Sequence, residues 1–218
     1  MSSRAAIYCV LLFLVSLVGI IRYRRLSLPF KILTWSVIMT FLTFLLDRYF
    51  VKKFHTNAPM EHVQDLEEYV FYAVIYYYLF KNVTIKKVTI LSLVIVVVFF
   101  PINAIFFQPF LTTFPTNIDI LAQTFYAIFS LLLFKEMLDY SVKMNIVNQA
   151  VFWFNTAMLF YATTAFFLLG LTNYFSGSTF KENQFIFYIW WVIIYIFHLL
   201  ICVALLTRSR ENTVAETN

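Results

Sequence analysis

Apolar residues along this chain fall into seven long runs that are separated by short polar connections. Each run holds about 20 residues, the length that an α-helix needs to cross the hydrocarbon core of a bilayer. The pattern predicts seven transmembrane helices, at about 5–22, 30–50, 60–80, 88–107, 117–135, 149–171 and 184–207. The predicted fold class is therefore all-α, a polytopic membrane helix bundle.

Composition supports a lipid environment, since 62% of the 218 residues are hydrophobic and 12% are charged. A soluble domain carries about 25% charged residues. The seven spans leave no room for a separate soluble domain, so we expect residues 1–210 to form one transmembrane domain. Residues 211–218 are expected to form a disordered cytoplasmic tail. The net charge of +5 is attributed to membrane topology rather than to a nucleic-acid partner.

Lysine and arginine residues lie mostly in alternate connections between the predicted spans. Arg22, Arg24 and Arg25 follow the first span, and Lys86 and Lys87 follow the third. Cytoplasmic loops of membrane proteins are enriched in these two residue types. The asymmetry predicts an N-terminus outside the membrane and a C-terminus in the cytoplasm.

The third predicted span carries four acids, more than any other span. Helical spacing places Glu61, Asp65, Glu68 and Tyr72 on one face, and His62 and Tyr69 with Asp65 on an adjoining stripe. Charge inside a membrane is costly, and ionisable residues there face the bundle interior or a water-filled cavity. We therefore predict a buried polar site in the outer half of the bundle.

Polar residues of two neighbouring spans are expected at the same depth. Asp47 and Arg48 end the second span, whereas Asp119 opens the fifth, with Gln123 one turn later. Arg48 is the natural counter-ion for Glu68, Asp65 or Asp47. These residues complete the predicted ligand-binding or proton-binding site. The alternative is that the first acids of the third helix are solvated and that Asp47 and Arg48 form an ordinary interface pair.

The chain lacks the residue patterns of common enzymes and cofactor proteins. It has three histidines and two cysteines, without a His-Glu-x-x-His or Cys-x-x-Cys pair. Structural and catalytic zinc sites need three or four convergent ligands, so we assign no metal site, no cofactor and no catalytic residue. The last predicted span contains no lysine, which excludes a retinal Schiff base.

Packing between the spans must rely on aromatic side chains. The chain has 27 Phe and 14 Tyr but only three Gly, and it has no Gly-x-x-x-Gly pair. Asn155 and His198 lie within predicted spans, and we expect each to form a hydrogen bond to another helix. Pro101 lies inside the fourth span, where it predicts a kink.

Short segments of the chain resemble a group of uncharacterised small bacterial inner-membrane proteins. The matching positions are Asp47–Tyr49, then Asn57, Pro59, His62, Glu67 and Glu68, together with Phe30–Thr34 and Tyr76–Lys81. The resemblance implies a multi-pass protein of the inner membrane and brings no activity with it. Members are often found near sensor kinases, which favours sensing.

The leading functional hypothesis is a receptor-like or sensor-like protein. Its outward-facing pocket, lined by spans 2, 3, 5 and 7, would bind a small cationic or polar ligand, or protons, and its cytoplasmic loops would contact a membrane signalling partner. A small proton-coupled transporter is the first alternative. An intramembrane enzyme that uses His62, Asp65 and Glu68 is the second, and a structural role is the third.

Overall fold

The computed structural model describes residues 3–140, 146–174 and 180–207. Over these ranges the chain forms seven α-helices and no β-strand. The helices are α1 (Ser3–Arg22), α2 (Leu28–Phe54), α3 (Ala58–Leu79), α4 (Val83–Ile102), α5 (Thr116–Tyr140), α6 (Ala150–Tyr174) and α7 (Phe180–Leu206). The predicted all-α helix bundle is confirmed, whereas the predicted tail, residues 211–218, lies outside the described residues.

Six of the described helices, all except α3, are long and apolar enough to cross a membrane. The 22 residues of α3 span about 33 Å by helical rise. This length matches a hydrocarbon core of about 30 Å, but the acids of α3 lower its hydropathy. The helix nevertheless packs against α2, α4 and α5. The chain is therefore a multi-pass membrane helix bundle that includes one much more polar helix.

The helices extend past most ends of the predicted spans, because hydropathy detects only the apolar part of each helix. α2 continues to Phe54, and His55 then ends it in the left-handed conformation with φ of 58°. The predicted fourth span is divided between α4 and a single π-helical turn, Asn103–Phe107. Pro101 lies in the last turn of α4. Because proline lacks an N–H group, it removes one hydrogen bond of the α-helix at this junction.

Helices that follow one another in the chain pack side by side, and α7 returns to contact α1. One cluster of buried apolar side chains includes residues from all seven helices. Four of its aromatic residues contact one another: Tyr76, Phe80, Phe129 and Phe154. The ring of Tyr76 contacts the other three, and that of Phe80 also contacts Phe129, with centroid distances of 5.5–6.1 Å. Each of these four residues is at most 1% exposed. We call them the aromatic plug.

Hydrogen bonds of Tyr76 connect α3 to α5 and α6 beside the plug. The Tyr76 hydroxyl group donates to Asn155 Oδ1 (3.1 Å) and shares a hydrogen bond with Ser130 Oγ (2.6 Å). Asn155 Nδ2 donates to the Ser130 carbonyl oxygen at 2.9 Å. The expected interhelical role of Asn155 is thus confirmed. The same expectation for His198 is wrong, because its Nδ1 bonds to the Ile194 carbonyl oxygen of its own helix.

Glycine permits one close helix crossing, between α1 and α2. A Cβ atom added at Gly19 would lie 2.6 Å from Thr34 Cγ2 and 2.8 Å from Thr34 Oγ1. A Cβ atom added at Gly170 in α6 would meet nothing within 4 Å. Small residues allow membrane helices to approach closely, so Gly19 fixes the separation of α1 and α2.

We predict that Gly19→Ala lowers the melting temperature of the detergent-purified protein. Overpacking a buried contact costs about 1–3 kcal/mol, and each 1 kcal/mol corresponds to about 2–4 °C in a chain of this size. The matched control is Gly170→Ala, which adds the same methyl group in open space and is expected to preserve or raise the melting temperature. Adding Thr34→Ala to Gly19→Ala should restore part of the loss. An unchanged melting temperature in Gly19→Ala would contradict the close crossing.

Candidate functional site

Four carboxylates from two helices come together near the start of α3. Asp65 lies within electrostatic range of Glu61, Glu68 and Asp119, and all four groups have the same sign of charge. Glu61, Asp65 and Glu68 share one face because they are four and three residues apart in a helix. Asp119 belongs to the first turn of α5. We call these four residues the carboxylate cluster.

Neutral side chains donate the hydrogen bonds that this cluster receives from the described residues. Asn57 Nδ2 donates to Glu61 Oε1 (2.8 Å), and Gln64 Nε2 donates to Glu68 Oε1 (3.0 Å). Thr40 of α2 approaches the same Glu68 oxygen at 3.4 Å. None of these donors carries a charge, so they orient the carboxylates without compensating their repulsion.

Gln123 and Asp119 interact as their spacing predicts. Gln123 lies one turn below Asp119, and its Nε2 donates to Asp119 Oδ1 at 2.8 Å. Gln123 is only 3% exposed, and its Oε1 is buried without a partner among the described residues. Asp65, the remaining member of the cluster, receives no hydrogen bond from any described side chain or backbone group.

Arg48 is paired with its neighbour in the sequence, Asp47. Arg48 Nε donates to Asp47 Oδ2 at 2.8 Å, and the Arg48 guanidinium group also contacts that oxygen through Nη2. Of the three predicted counter-ion partners, the structure selects Asp47. Among the described residues this is the only ion pair. Arg48 attracts Glu61 at longer range, but no described cation forms an ion pair with any of the four acids of the carboxylate cluster.

His62 is separated from the cluster by the direction of its side chain. The residue is fully buried, and its Nε2 lies 3.0 Å from the Thr113 carbonyl oxygen in the connection between α4 and α5. Its ring lies 5.1 Å from that of Phe110. Among the described residues, no three His, Cys, Asp or Glu side chains are placed to hold a metal ion. His62 therefore anchors this connection to α3.

Tyrosine hydroxyl groups from four helices surround Glu68. Those of Tyr8, Tyr72, Tyr126 and Tyr161 all lie within electrostatic range of its carboxylate. Tyr72 was predicted, and its ring lies 5.6 Å from that of Tyr126. Tyr69, also predicted, stacks on Tyr126 with ring centroids 5.5 Å apart. We call the four residues around Glu68 the tyrosine layer.

Three members of this layer could not be selected from the sequence. Tyr8, Tyr126 and Tyr161 belong to α1, α5 and α6, and nothing in their local pattern separates them from the other tyrosines of the chain. The structure thus adds α1 and α6 to the helices that were expected to line the site. Glu67 Oε2 accepts a hydrogen bond from Thr43 of α2 at 3.0 Å, although Glu67 also lies within electrostatic range of Glu68.

A groove of about 500 Å³ between α4 and α5 is distinct from this cluster. Its lining is mostly apolar and consists of Ile95, Phe99, Asn117, Ile120, Leu121 and Thr124. Ile95 and Thr124 are exposed on the outer surface of the bundle. None of the predicted site residues lines it, so the groove belongs to the surface that faces lipid.

We predict that Asp65→Asn raises the melting temperature at pH 8. The change removes one of four mutually repelling acidic groups and breaks no hydrogen bond of Asp65, so we expect a gain of about 1 kcal/mol, or about 2–4 °C. Residues placed for binding often lower stability in this way. Arg48→Gln should do the reverse, because it leaves Asp47 without its partner. A loss of stability in Asp65→Asn would instead indicate a structural role for this carboxylate.

No protein-family model, no curated protein and no solved structure matches this chain.

Proposed function

We propose that this chain is a receptor-like or sensor-like protein of the bacterial inner membrane. Its carboxylate cluster would bind a small cationic ligand or protons from the outer side, and its basic cytoplasmic loops would contact a membrane signalling partner. The observation that carries the proposal is a set of four neighbouring acidic side chains inside an apolar bundle, none of which is paired with a described cation. Intramembrane ionisable residues are retained in membrane proteins mainly for binding, transport or signalling.

The charge balance favours a cation. Glu61, Glu68 and Asp119 lie within electrostatic range of Asp65, and Arg48, the described cation that attracts Glu61, is already bound to Asp47. Like charges in a poorly solvated site destabilise one another. A ligand of positive charge, or a proton, removes this repulsion when it binds and therefore gains free energy from it.

The packing below the cluster favours a closed pocket over a transport path. The tyrosine layer and then the aromatic plug follow the cluster along α3, and the plug residues are at most 1% exposed. The plug is fastened by the hydrogen bonds of Tyr76 to Ser130 and Asn155. A carrier needs polar groups on both halves of its path, whereas this half is aromatic and densely packed.

A thermal-stability screen tests the proposal directly. Purified wild-type protein is heated with amines, amino acids, inorganic cations and buffers of different pH. A ligand that binds only the folded state raises its melting temperature. At a ligand concentration 100 times the dissociation constant, the free energy of unfolding increases by about 2.7 kcal/mol. We expect at least one cationic compound or a fall in pH to stabilise the wild type.

Two variants decide where such a ligand binds. Glu68→Gln should abolish most of the stabilisation, because it removes a charge from the cluster. Glu136→Gln makes the same chemical change outside the cluster, where Glu136 Oε1 accepts hydrogen bonds from the backbone N–H groups of Lys81 and Asn82, and should keep it. A stabilisation equal in all three proteins, or found with no compound and at no pH, would overturn the proposed function. Glu68-dependent uptake into sealed proteoliposomes would replace sensing with transport.

A further inference from the structure

Polar atoms at the edge of the carboxylate cluster are hydrogen-bond acceptors that lack donors. Gln123 and Asp47 are 3% and 4% exposed, and Gln123 Oε1 and Asp47 Oδ1 are both buried without a partner. Gln123 reaches the cluster through Asp119, while Asp47 lies within electrostatic range of Glu61. A buried acceptor without a donor costs free energy. A ligand that fits this site must therefore bring several N–H donors as well as positive charge.

The acceptors are spread along α3 instead of converging on one point. Glu61 and Glu68 are seven residues apart, so their backbone positions differ by about 10 Å along the helix axis. Asp119 lies within electrostatic range of Glu61, Asp65 and Glu68, whereas Asp47 lies within range of Glu61 and not of the other two. The site is therefore elongated, with one group of acceptors at each end. A compact cation can satisfy one end only.

The wall beside the lower end is aromatic. The hydroxyl groups of Tyr8 and Tyr126 lie within electrostatic range of Glu68, and both residues are at least nine-tenths buried. Neither hydroxyl group is hydrogen-bonded to a described residue. Aromatic rings attract ammonium groups through their π faces, and they also pack well against methylene groups.

We propose that the carboxylate cluster binds a linear aliphatic diamine or polyamine that lies along α3. One ammonium group binds at the Glu68 end, and the other binds at the Glu61 end, where Asp47 lies. The methylene chain between them packs against the tyrosine layer. Each ammonium group supplies three donors, which matches a site that consists of acceptors. This ligand class rests on the proposed function, since it assigns the cation that the cluster takes.

The test measures dissociation constants by titration calorimetry on the full chain in nanodiscs of zwitterionic lipid, so that lipid charge binds no amine. The probes are n-butylamine, the unbranched diamines with three to six carbons, spermidine, arginine and magnesium chloride. We expect diamines or spermidine to bind about tenfold or more tightly than n-butylamine, because truncating one partner of a buried charge pair costs at least that much.

Variants then separate the two ends. Glu68→Gln and Asp119→Asn should weaken every amine by about tenfold or more. Glu61→Gln should weaken the diamines to the level of n-butylamine while leaving n-butylamine itself unchanged. Glu136→Gln is the matched control and should bind all probes as the wild type does, because Glu136 lies against the backbone of Lys81 and Asn82 and not in the cluster. Monodisperse elution of each variant shows that it is folded.

Three results would overturn the diamine proposal. Equal binding of n-butylamine and the diamines would show that only one end is used. Selective binding of arginine or magnesium would assign another cation class and would leave the proposed function intact. If no probe binds, but a fall in pH stabilises the wild type and not Glu68→Gln, the cluster binds protons instead. If the pH effect is also missing, the proposed function fails together with the diamine.

Discussion

The structure depends on one electrostatic constraint, the confinement of like charges within an apolar bundle. Glu61, Asp65, Glu68 and Asp119 repel one another, and Arg48 is bound to Asp47. In a soluble protein such groups could turn toward water, but a helix that packs against α2, α4 and α5 in a membrane has little freedom to do so. The neutral donors Asn57, Gln64 and Gln123 orient these carboxylates without pairing them with a cation.

The acidic residues of α3 are confined to its first half, and the rest of this helix is packed among apolar and aromatic side chains. Along α3, acids in the first half give way to Tyr72, Tyr76 and Phe80, which are all at most 2% exposed. The hydrogen bonds of Tyr76 connect α3 to α5 and α6 at the level of the aromatic plug. The same helix therefore carries both the acidic site and a residue that is hydrogen-bonded to two other helices.

Periodicity alone was sufficient to predict the helices, and helical spacing was sufficient to place three acids of α3 on one face. The sequence pattern could not choose the partner of Arg48. Asp47, Asp65 and Glu68 are expected at similar depth, and only the directions of their side chains decide which of them Arg48 contacts. The pattern also missed Tyr8, Tyr126 and Tyr161, since these residues meet through the tertiary arrangement of three helices. Glu136 shows the same limit. This acid, near the end of an apolar span, accepts hydrogen bonds from the backbone N–H groups of Lys81 and Asn82, a contact that sequence spacing does not encode.

The most direct test asks whether the carboxylate cluster is open to one side of the membrane only. Cys9 and Cys202 are replaced by Ala, and Asp65→Cys or Ser130→Cys is then labelled with a membrane-impermeant thiol reagent in sealed vesicles of either orientation. Ser130 is fully buried beside the plug. We expect Asp65→Cys to be labelled only from the side at which α3 begins, and Ser130→Cys from neither side. Labelling of Asp65→Cys from the opposite side, or of Ser130→Cys from any side, would contradict a closed pocket.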